Sequence, residues 1–290
     1  MTPLQQRIGF LGPKATFTDM AVTKFFPKST KKAFSTIPEC MDAVLEGKVE
    51  FAVVPLENAI EGSVNVTLDY LIHDCPLPIV GELTIPISQH LLVHPENIHN
   101  GEELEVIYSH SHAIAQCHKF LHKNYPNAVY ETTSSTAAAA KLISDHRVSK
   151  KAACIANSLA AKEYNLKILQ ENIHDYENNH TKFIILHRDE TVNLYNGEYK
   201  SAGEKTTMTV TLPTDQSGAL HQVLSVFAWR KLNLSKIESR PMKTGLGNYF
   251  FIIDVNEEMD HPLIPPAIEE LEALGCSVKV LGRYNSYLLK

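Results

Sequence analysis

The sequence predicts an α/β protein of two domains, in which a two-lobed α/β domain precedes a smaller unit with the element order βαββαβ. Three observations lead to this fold class. The chain has 290 residues, which is long for one hydrophobic core and short for three. Short β-rich runs alternate with helical patterns over its first two thirds, and a polar stretch without an apolar period follows. We therefore expect a first domain at 1–187, a linker at 188–205 and a second domain at 206–290.

Three β-rich runs, each followed by a helical pattern, predict the first lobe. They are IGFLG before ATFTDMAVTKFF, KAFSTI before PECMDAVLEGK, and FAVVP before a longer segment from Leu56 to Ile72. Such alternation is typical of a parallel sheet with right-handed crossover connections. We expect the third strand to stop at Pro55, which would leave Glu57 and Asn58 in an exposed loop.

A second set of alternating elements begins near Val106 and predicts the second lobe. The run EVIYS precedes the helical pattern HAIAQCHKFLHKN, AVYETT precedes STAAAAKLISDH, and the β-rich runs KAACIA and KFIILH complete the set. Two lobes fit this pattern better than one large sheet. The segment PLPIVGELTIPISQHLLVH lies between the two sets and is predicted to connect the lobes.

The second domain is predicted from six consecutive elements. The strand MTVTLP precedes the helical SGALHQVLSVFAWRKL, the strands LSKIESRPM and NYFFIIDV follow, and the helical IPPAIEELEAL precedes the strand VKVLGRY. This order is that of the ferredoxin-like fold, in which helices cover one face of a four-stranded antiparallel sheet.

Composition and charge exclude several classes of partner. The formal net charge is −6, so neither nucleic acid nor an anionic membrane is expected as a partner. The N-terminal segment has no apolar signal region, and no window approaches the roughly 20 apolar residues of a membrane span. We expect a cytoplasmic protein whose five widely spaced cysteines are reduced thiols.

A cluster of histidines raises the possibility of a metal site. His110, His112, His118 and His122 lie close in sequence, and the last two are one helical turn apart. No carboxylate or cysteine accompanies them at ligand spacing, and the sequence has no H-E-x-x-H motif. We therefore predict no metal and interpret these side chains as rim and surface histidines.

Two motifs of the first lobe follow predicted strands, where open α/β sheets bind ligands. In GPKATFTD, Thr16 is placed to cap the next helix, whose free N–H groups suit an anion. In VVPLENAIEGSV, Asn58 can donate to and accept from a carboxylate-bearing substrate. Each motif also has a purely structural interpretation, as a turn or as a loop held by its own side chains.

Two further motifs follow the same logic. In YSHSHAIAQC, His110 lies at the end of a strand and is a possible proton donor near neutral pH, while Gln116 lies on the following helix. In DYENNHTKFIIL, Thr181 and Lys182 lie where a polar loop enters a strand. A hydroxyl beside a cation suits a dianionic substrate that must lose hydroxide, although a polar loop before a buried strand is the structural alternative.

Taken together, these segments resemble the prephenate dehydratase family over essentially the whole chain. The matching segments, in order, are GPKATFTD, VVPLENAIEGSV, SHSHAIAQC, SSTAAAA and NHTKFIIL. They are similar to the family's G-P-x-G-T-F-S, V-P-x-E-N-S-x-x-G, S-H-P-Q-A-x-x-Q-C, S-T-A-x-A-A and N-x-T-R-F. The motifs begin at Gly9, so we expect a monofunctional enzyme without a preceding chorismate mutase domain.

The resemblance implies a fold, a reaction and a set of site residues. The fold is the two-lobed arrangement of periplasmic binding proteins, and the reaction converts prephenate to phenylpyruvate, carbon dioxide and water without a cofactor. Thr181 is implied as the group at the departing hydroxyl, and His110 as a possible proton source. The residues implied in substrate binding are Thr16, Glu57, Asn58, Gly62, Ser63, Gln116, Ser135, Thr136, Lys182 and Phe183.

The second domain resembles the ACT domains attached to these enzymes. Its SGAL and ESRP segments match the two phenylalanine-binding motifs of such domains. The implied effector site comprises Gly218, Ala219, Leu220, Glu238, Ser239, Arg240 and Pro241. Because ACT domains in this family pair across subunits, the resemblance implies a homodimer or homotetramer inhibited by L-phenylalanine.

Several residues depart from the family pattern and leave alternatives open. Lys182 stands where the family usually has Arg, which keeps the charge but loses the planar bidentate fork. Ala15, Ala59 and the pair Ser111-His112 are further departures. Two alternative functions remain, an arogenate dehydratase and a non-catalytic protein that binds small molecules between two lobes.

Overall fold

The computed structural model describes residues 6–97, 104–145, 151–194, 199–213, 217–242, 249–257 and 262–290. The chain divides into two compact units. The first comprises residues 1–70, 84–183 and 289–290, and the second comprises 71–83 and 184–288. Within the described residues, no helix has the length and apolar character of a membrane span.

The N-terminal elements build the first sheet and its helices, and all of them except residues 71–83 belong to the first unit. These are β1 (Arg7–Leu11), α1 (Phe17–Phe25), β2 (Thr30–Phe34), α2 (Ile37–Leu45), β3 (Phe51–Asn58), β4 (Gly62–Ser63), α3 (Asn65–His73) and β5 (Ile79–Pro86). Strand β1 is parallel to both β2 and β3. Helices α1 and α2 begin where the threonines at 16 and 36 accept hydrogen bonds from backbone N–H groups.

The second sheet of this unit has the strand order β10-β6-β9-β7-β8. Its elements are β6 (His90–Val93), β7 (Val106–Ser109), α4 (Ser111–Gln116), α5 (His118–Asn124), β8 (Val129–Thr132), α6 (Thr136–Ser144), β9 (Ala152–Ala156), α7 (Ser158–Glu163) and β10 (Lys167–Gln170). Strand β11 (His180–Leu186) then returns to the first sheet, beside β3. Small residues of β9 and α6 allow close packing, since every residue of β9 is buried.

The second unit contains the predicted βαββαβ order. Its elements are β12 (Ser201–Thr211), α8 (Ala219–Trp229), β13 (Leu234–Pro241), β14 (Tyr249–Val255), α9 (Ile264–Ala273) and β15 (Ser277–Leu288). The four strands have the antiparallel order β13-β14-β12-β15. One core cluster joins α8 and α9 to this sheet through residues such as Val210, Phe227 and Leu271. The predicted fold class, two α/β lobes followed by a ferredoxin-like domain, is confirmed.

Several local predictions were wrong, each for an identifiable reason. Strand β3 does not stop at Pro55 but continues to Asn58. Its pairing with β1 ends at Val53, so the N–H that proline lacks is not needed on that side. The sheets are mixed rather than wholly parallel, because β6 is antiparallel to β9 and to β10.

Two further boundaries differ from the sequence patterns. The helical pattern after β7 is divided at Cys117, whose φ of −114° ends α4 before α5 begins. Strand β12 begins at Ser201, inside the predicted linker 188–205. Residues 195–198 of that linker lie outside the described residues, and the proposed domain division itself stays a prediction.

A buried polar cluster lies in the second unit. Glu82 of β5 is 1% exposed, and its Oε1 accepts from Lys205 Nζ at 2.6 Å and from Ser286 Oγ at 2.8 Å. The Thr207 hydroxyl donates to Asp254 Oδ1 at 2.8 Å, and its oxygen lies 2.6 Å from the hydroxyl of Tyr284. Burial raises the pKa of both Asp254 and Tyr284. We refer to these six residues as the Glu82 cluster.

Candidate active site

A cavity of about 620 Å³ in the first unit is lined by elements of both its sheets. The first sheet and its helices contribute Thr16, Asn58, Gly62, Ser63, Thr181 and Phe183. The second sheet and its helices contribute His110, Gln116, Ser135 and Thr136. These ten residues all belong to the set implied by the sequence, so residues distant in the chain meet at one cavity.

Strand geometry decides which predicted residues reach the cavity. Successive side chains of a strand point to opposite faces. In β11, Thr181 and Phe183 line the cavity while Lys182 between them does not. In β3, Asn58 lines it while Glu57 does not.

Glu57 and Lys182 contact each other instead. Lys182 Nζ lies 3.2 Å from Glu57 Oε2, and each side chain is about one third exposed (32% and 30%). An ion pair this exposed contributes about 0–1 kcal/mol to stability. The pair joins neighbouring strands on the side of the sheet away from Asn58 and Thr181.

The Asn58 amide is oriented by the backbone. Its Oδ1 accepts from the N–H groups of Ile60 and Glu61, both at 3.0 Å. Its Nδ2 therefore faces Thr181 Oγ1 at 2.9 Å and Asn179 Oδ1 at 2.8 Å. Because Thr181 Oγ1 accepts this bond, its own hydroxyl hydrogen is available to donate into the cavity.

His110 lies at the N-cap of α4 with its ring at the cavity. Its Nδ1 accepts from the N–H of His112 at 3.3 Å, so the neutral ring carries its hydrogen on Nε2. Burial lowers the pKa of His110, with a further lowering by His112 and an opposing effect of Glu61. At neutral pH His110 is thus a neutral hydrogen-bond donor.

Two helix N-termini open onto the cavity. Thr16 accepts from the N–H of Asp19 at the start of α1, and Ser135 accepts from the N–H of Ala138 at the start of α6. The free N–H groups of such termini attract carboxylates. None of the described residues that line the cavity is a lysine or an arginine, so these termini and the side-chain amides are the groups suited to an anion.

The backbone before α1 explains one departure from the family pattern. Ala15 has φ of +64°, a left-handed conformation that favours the family's glycine. Its N–H donates to Asp19 Oδ2 at 2.7 Å, and its carbonyl accepts from Asn157 Nδ2 at 3.0 Å. Lys31 in turn lies 2.6 Å from Asp19. These contacts hold the turn in place despite the methyl group.

Sequence reasoning missed several residues of the site. Glu61 and Ser134 line the cavity and lie within or beside recognised motifs. Gln89 also lines it, but no motif marks that position. Asn179 is 1% exposed and does not line the cavity, but it accepts a hydrogen bond from Asn58, which does. Asn179 is the first residue of the matched segment NHTKFIIL, but it was not among the predicted site residues.

The predicted effector residues lie in the second unit. Gly218 is the N-cap of α8 with φ of +89°, followed by Ala219 and Leu220 in the first turn. The other four, Glu238, Ser239, Arg240 and Pro241, lie in β13. Arg240 Nη1 is 3.8 Å from Glu238 Oε1. Among the residues described, no group of three or more His, Cys, Asp or Glu side chains could hold a metal ion.

Comparisons with known proteins show the family of the chain. The family model for prephenate dehydratase matches residues 8–191, and that for the ACT domain matches residues 206–276. The chain is 59% identical over 285 residues to the prephenate dehydratase of Bacillus subtilis, covering 98% of this chain and 100% of that protein.

Two solved structures are also similar over most of the chain. One is the prephenate dehydratase of Arthrobacter aurescens in complex with L-Phe, with 34% identity, a TM-score of 0.83, and coverage of 96% of this chain and 89% of that one. The other is GqqA, described as a novel type of quorum-quenching acylase, with 26% identity, a TM-score of 0.82, and coverage of 97% and 98%.

Proposed function

We infer that this chain, which belongs to the prephenate dehydratase family, converts prephenate to phenylpyruvate, carbon dioxide and water. The observation that carries this function is the orientation of the Thr181 hydroxyl, which accepts a hydrogen bond from Asn58 and so can donate its own hydrogen into the cavity. The described residues that line this cavity include no lysine or arginine. That cavity belongs to a chain 59% identical to a prephenate dehydratase along nearly its whole length.

Loss of two groups from prephenate needs orientation and a hydrogen-bond donor. The bond from the ring to its carboxylate breaks and releases CO2, its electron pair enters the aromatic ring, and the C–O bond to the 4-hydroxyl breaks on the other side. The leaving hydroxide takes a proton and becomes water. We assign the donor at this oxygen to Thr181, because hydrogen bonds aimed at developing charge stabilise a transition state.

A threonine hydroxyl is too weak an acid to be the final proton source. We propose that it relays a proton from water, from the substrate, or from His110 when the His110 ring is doubly protonated, a form that the lowered pKa of His110 restricts to lower pH. We propose that the helix N-termini at Thr16 and Ser135, with Gln116, bind the substrate carboxylates. The two amide hydrogens of Asn58 are directed at Asn179 and Thr181, so we propose that Asn58 orients Thr181 instead. Lys182 and Glu57 lie outside the lining, so we propose that Lys182 acts by its positive potential rather than by direct contact.

Product formation tests this function directly. We expect purified protein to form phenylpyruvate from prephenate, measured by absorbance in alkali, and to form less in the presence of L-phenylalanine. Arogenate, assayed in parallel, separates the family's two substrate preferences. An assay of quorum-quenching acylase activity tests the activity for which GqqA is described. Folded protein inactive on prephenate and arogenate would favour a non-catalytic binding protein.

We propose that L-phenylalanine binds the second unit at Gly218, Ala219 and Leu220 together with the β13 segment from Glu238 to Pro241. The L-Phe complex of the Arthrobacter aurescens relative supports this proposal. Gly218 supports it as well, because a glycine N-cap without a side-chain hydrogen bond leaves backbone N–H groups for a ligand carboxylate. Inhibition then requires that phenylalanine bind one state of the enzyme better than another.

Arg240→Ala is expected to abolish inhibition by L-phenylalanine while turnover without it is retained. The change removes the cation of the predicted effector site and leaves the cavity of the first unit untouched. Inhibition curves at fixed prephenate measure the effect. Arg230→Ala, which breaks the Arg230–Glu270 ion pair at 2.6 Å outside the two motifs, is the matched control. Unchanged inhibition in Arg240→Ala would exclude the proposed site.

The proposal also covers the cellular location and the oligomeric state of the protein. We propose a cytoplasmic enzyme, supported by five free and buried cysteines, Cys40, Cys75, Cys117, Cys154 and Cys276. We also propose a homodimer or homotetramer, on the resemblance of the second domain to ACT domains. Light scattering on the eluting protein distinguishes these states from a monomer.

A further inference from the structure

We propose that Asn179 is a positioning residue that fixes the direction of a chain of side-chain amides ending at Thr181. This inference rests on the proposed function, because it concerns the donor for the dehydration of prephenate. Asn179 does not line the cavity and is 1% exposed. It therefore acts through the side chains that it holds.

Asn179 connects side chains from two different sheets. Its Oδ1 accepts from Nδ2 of Asn58, on β3 of the first sheet, at 2.8 Å. Its Nδ2 donates to Oε1 of Gln116, on α4 beside the second sheet, at 3.1 Å. Its own carbonyl accepts from the N–H of Ile87 at 2.9 Å, which holds its backbone in place. One buried amide thus sets the positions of two residues that line the cavity.

The chain of amides has a single consistent direction. The N–H groups of Ile60 and Glu61 require the oxygen of Asn58 on their side. The nitrogen of Asn58 then requires the oxygen of Asn179, and the nitrogen of Asn179 requires the oxygen of Gln116. Gln116 Nε2 is left facing the carboxylate of Glu61 at 3.4 Å, an acceptor that suits it.

This direction matters for the chemistry. Turning any one amide would place two oxygens or two nitrogens against each other. The buried groups would then lose their hydrogen bonds, which destabilises the folded protein. With the observed direction, Thr181 Oγ1 accepts from Asn58 and its hydrogen is free for the substrate. The same direction presents Gln116 to the cavity in one orientation.

Asn179→Asp tests the direction with almost no change of shape. While the introduced carboxyl group is protonated, its O–H donates to Gln116 Oε1 and its other oxygen accepts from Asn58, as the asparagine amide does. Once ionised, the carboxylate places an oxygen against Gln116 Oε1 and disrupts the chain. Because burial raises the pKa of a carboxyl group, we expect kcat of this variant to fall as pH rises through that pKa, by about 100-fold, with a smaller change in KM. The wild type should lack this decrease.

The double variant Asn179→Asp/Glu61→Gln is the directional control. If the ionised carboxylate of the variant turns Gln116 around, the Gln116 oxygen faces residue 61, where a glutamine can donate to it. We therefore expect the double variant to lose most of the decrease at high pH. The other titratable groups near the chain, His110, His112, Asp175 and His180, are retained in every variant. Because Glu61 raises the pKa of His110 and lies 3.7 Å from His112, the single variant Glu61→Gln is the reference for the pH profile of the double variant.

A measurement independent of turnover keeps the inference separate from the proposed function. Hydrogen exchange of the Asn58 side-chain amide, followed by NMR, should speed up in Asn179→Ala, with circular dichroism confirming the fold. A wild type inactive on prephenate would refute the proposed function alone. Unchanged Asn58 exchange in Asn179→Ala, or a kcat–pH profile of Asn179→Asp equal to that of the wild type, would refute the positioning role.

Discussion

Thr181→Val is expected to lower kcat for prephenate by about 10³-fold while the protein stays folded. Valine keeps the shape of threonine but has no hydroxyl, so the departing hydroxide loses its donor. Asn58 Nδ2 also loses one acceptor, at a cost of about 1 kcal/mol of stability. Stopped assays of phenylpyruvate formation measure the decrease, and circular dichroism checks the fold.

Thr181→Ser is the matched control for this result. Serine keeps the hydroxyl that accepts from Asn58 and donates into the cavity, so most of the turnover should remain. KM should change little in either variant, because the helix N-termini at Thr16 and Ser135 still face the substrate carboxylates. Turnover of Thr181→Val close to that of the wild type would remove Thr181 from the mechanism.

Much of the fold could be predicted because each element carries a local signal. Strand β9, AACIA, is wholly apolar and buried, and threonine caps mark the starts of α1 and α2. The end of β3 could not be predicted from Pro55, since the effect of a proline depends on which neighbour needs its N–H. Which neighbour pairs with residue 55 is decided by the pairing of strands in the sheet, and the sequence around Pro55 does not show it.

The same distinction holds for the site. Motifs after strands located Asn58, His110 and Gln116, because strand ends and helix starts meet at one edge of a sheet. Thr181 was located by the motif in which a polar loop enters β11. Glu57 and Lys182 do not line the cavity, because successive side chains of a strand point to opposite faces. The sequence could not show this, since the strand boundaries were not known from it. Asn179 bonds to Asn58 across 121 residues of sequence, a contact that no local pattern encodes.

The Glu82 cluster could not be predicted either. Glu82 lies in the apolar run IVGELTIP of β5, where a single acidic residue has no local partner. Its partners, Lys205 and Ser286, lie 123 and 204 residues away in the sequence. The energetic consequence of this pairing is larger than that of the exposed ion pairs.

Lys205→Met is expected to lower the free energy of unfolding by about 3–5 kcal/mol. The side chain of Glu82 is 1% exposed and that of Lys205 is 14% exposed. Removing the lysine therefore leaves a buried carboxylate with one observed donor, the hydroxyl of Ser286. In the described structure, Glu82 Oε2 has no hydrogen-bond partner, so no second donor compensates there. Urea unfolding followed by circular dichroism measures the loss.

Two further variants separate charge burial from loss of packing. Lys48→Met breaks the exposed Lys48–Glu46 pair, whose side chains are 57% and 52% exposed, and should change stability by less than about 1 kcal/mol. Lys205→Met/Glu82→Gln removes the buried charge as well as the lysine, so it should recover a large part of the loss. A double variant as unstable as Lys205→Met would attribute the loss to packing of the lysine stem, because the carboxylate would no longer be there to explain it.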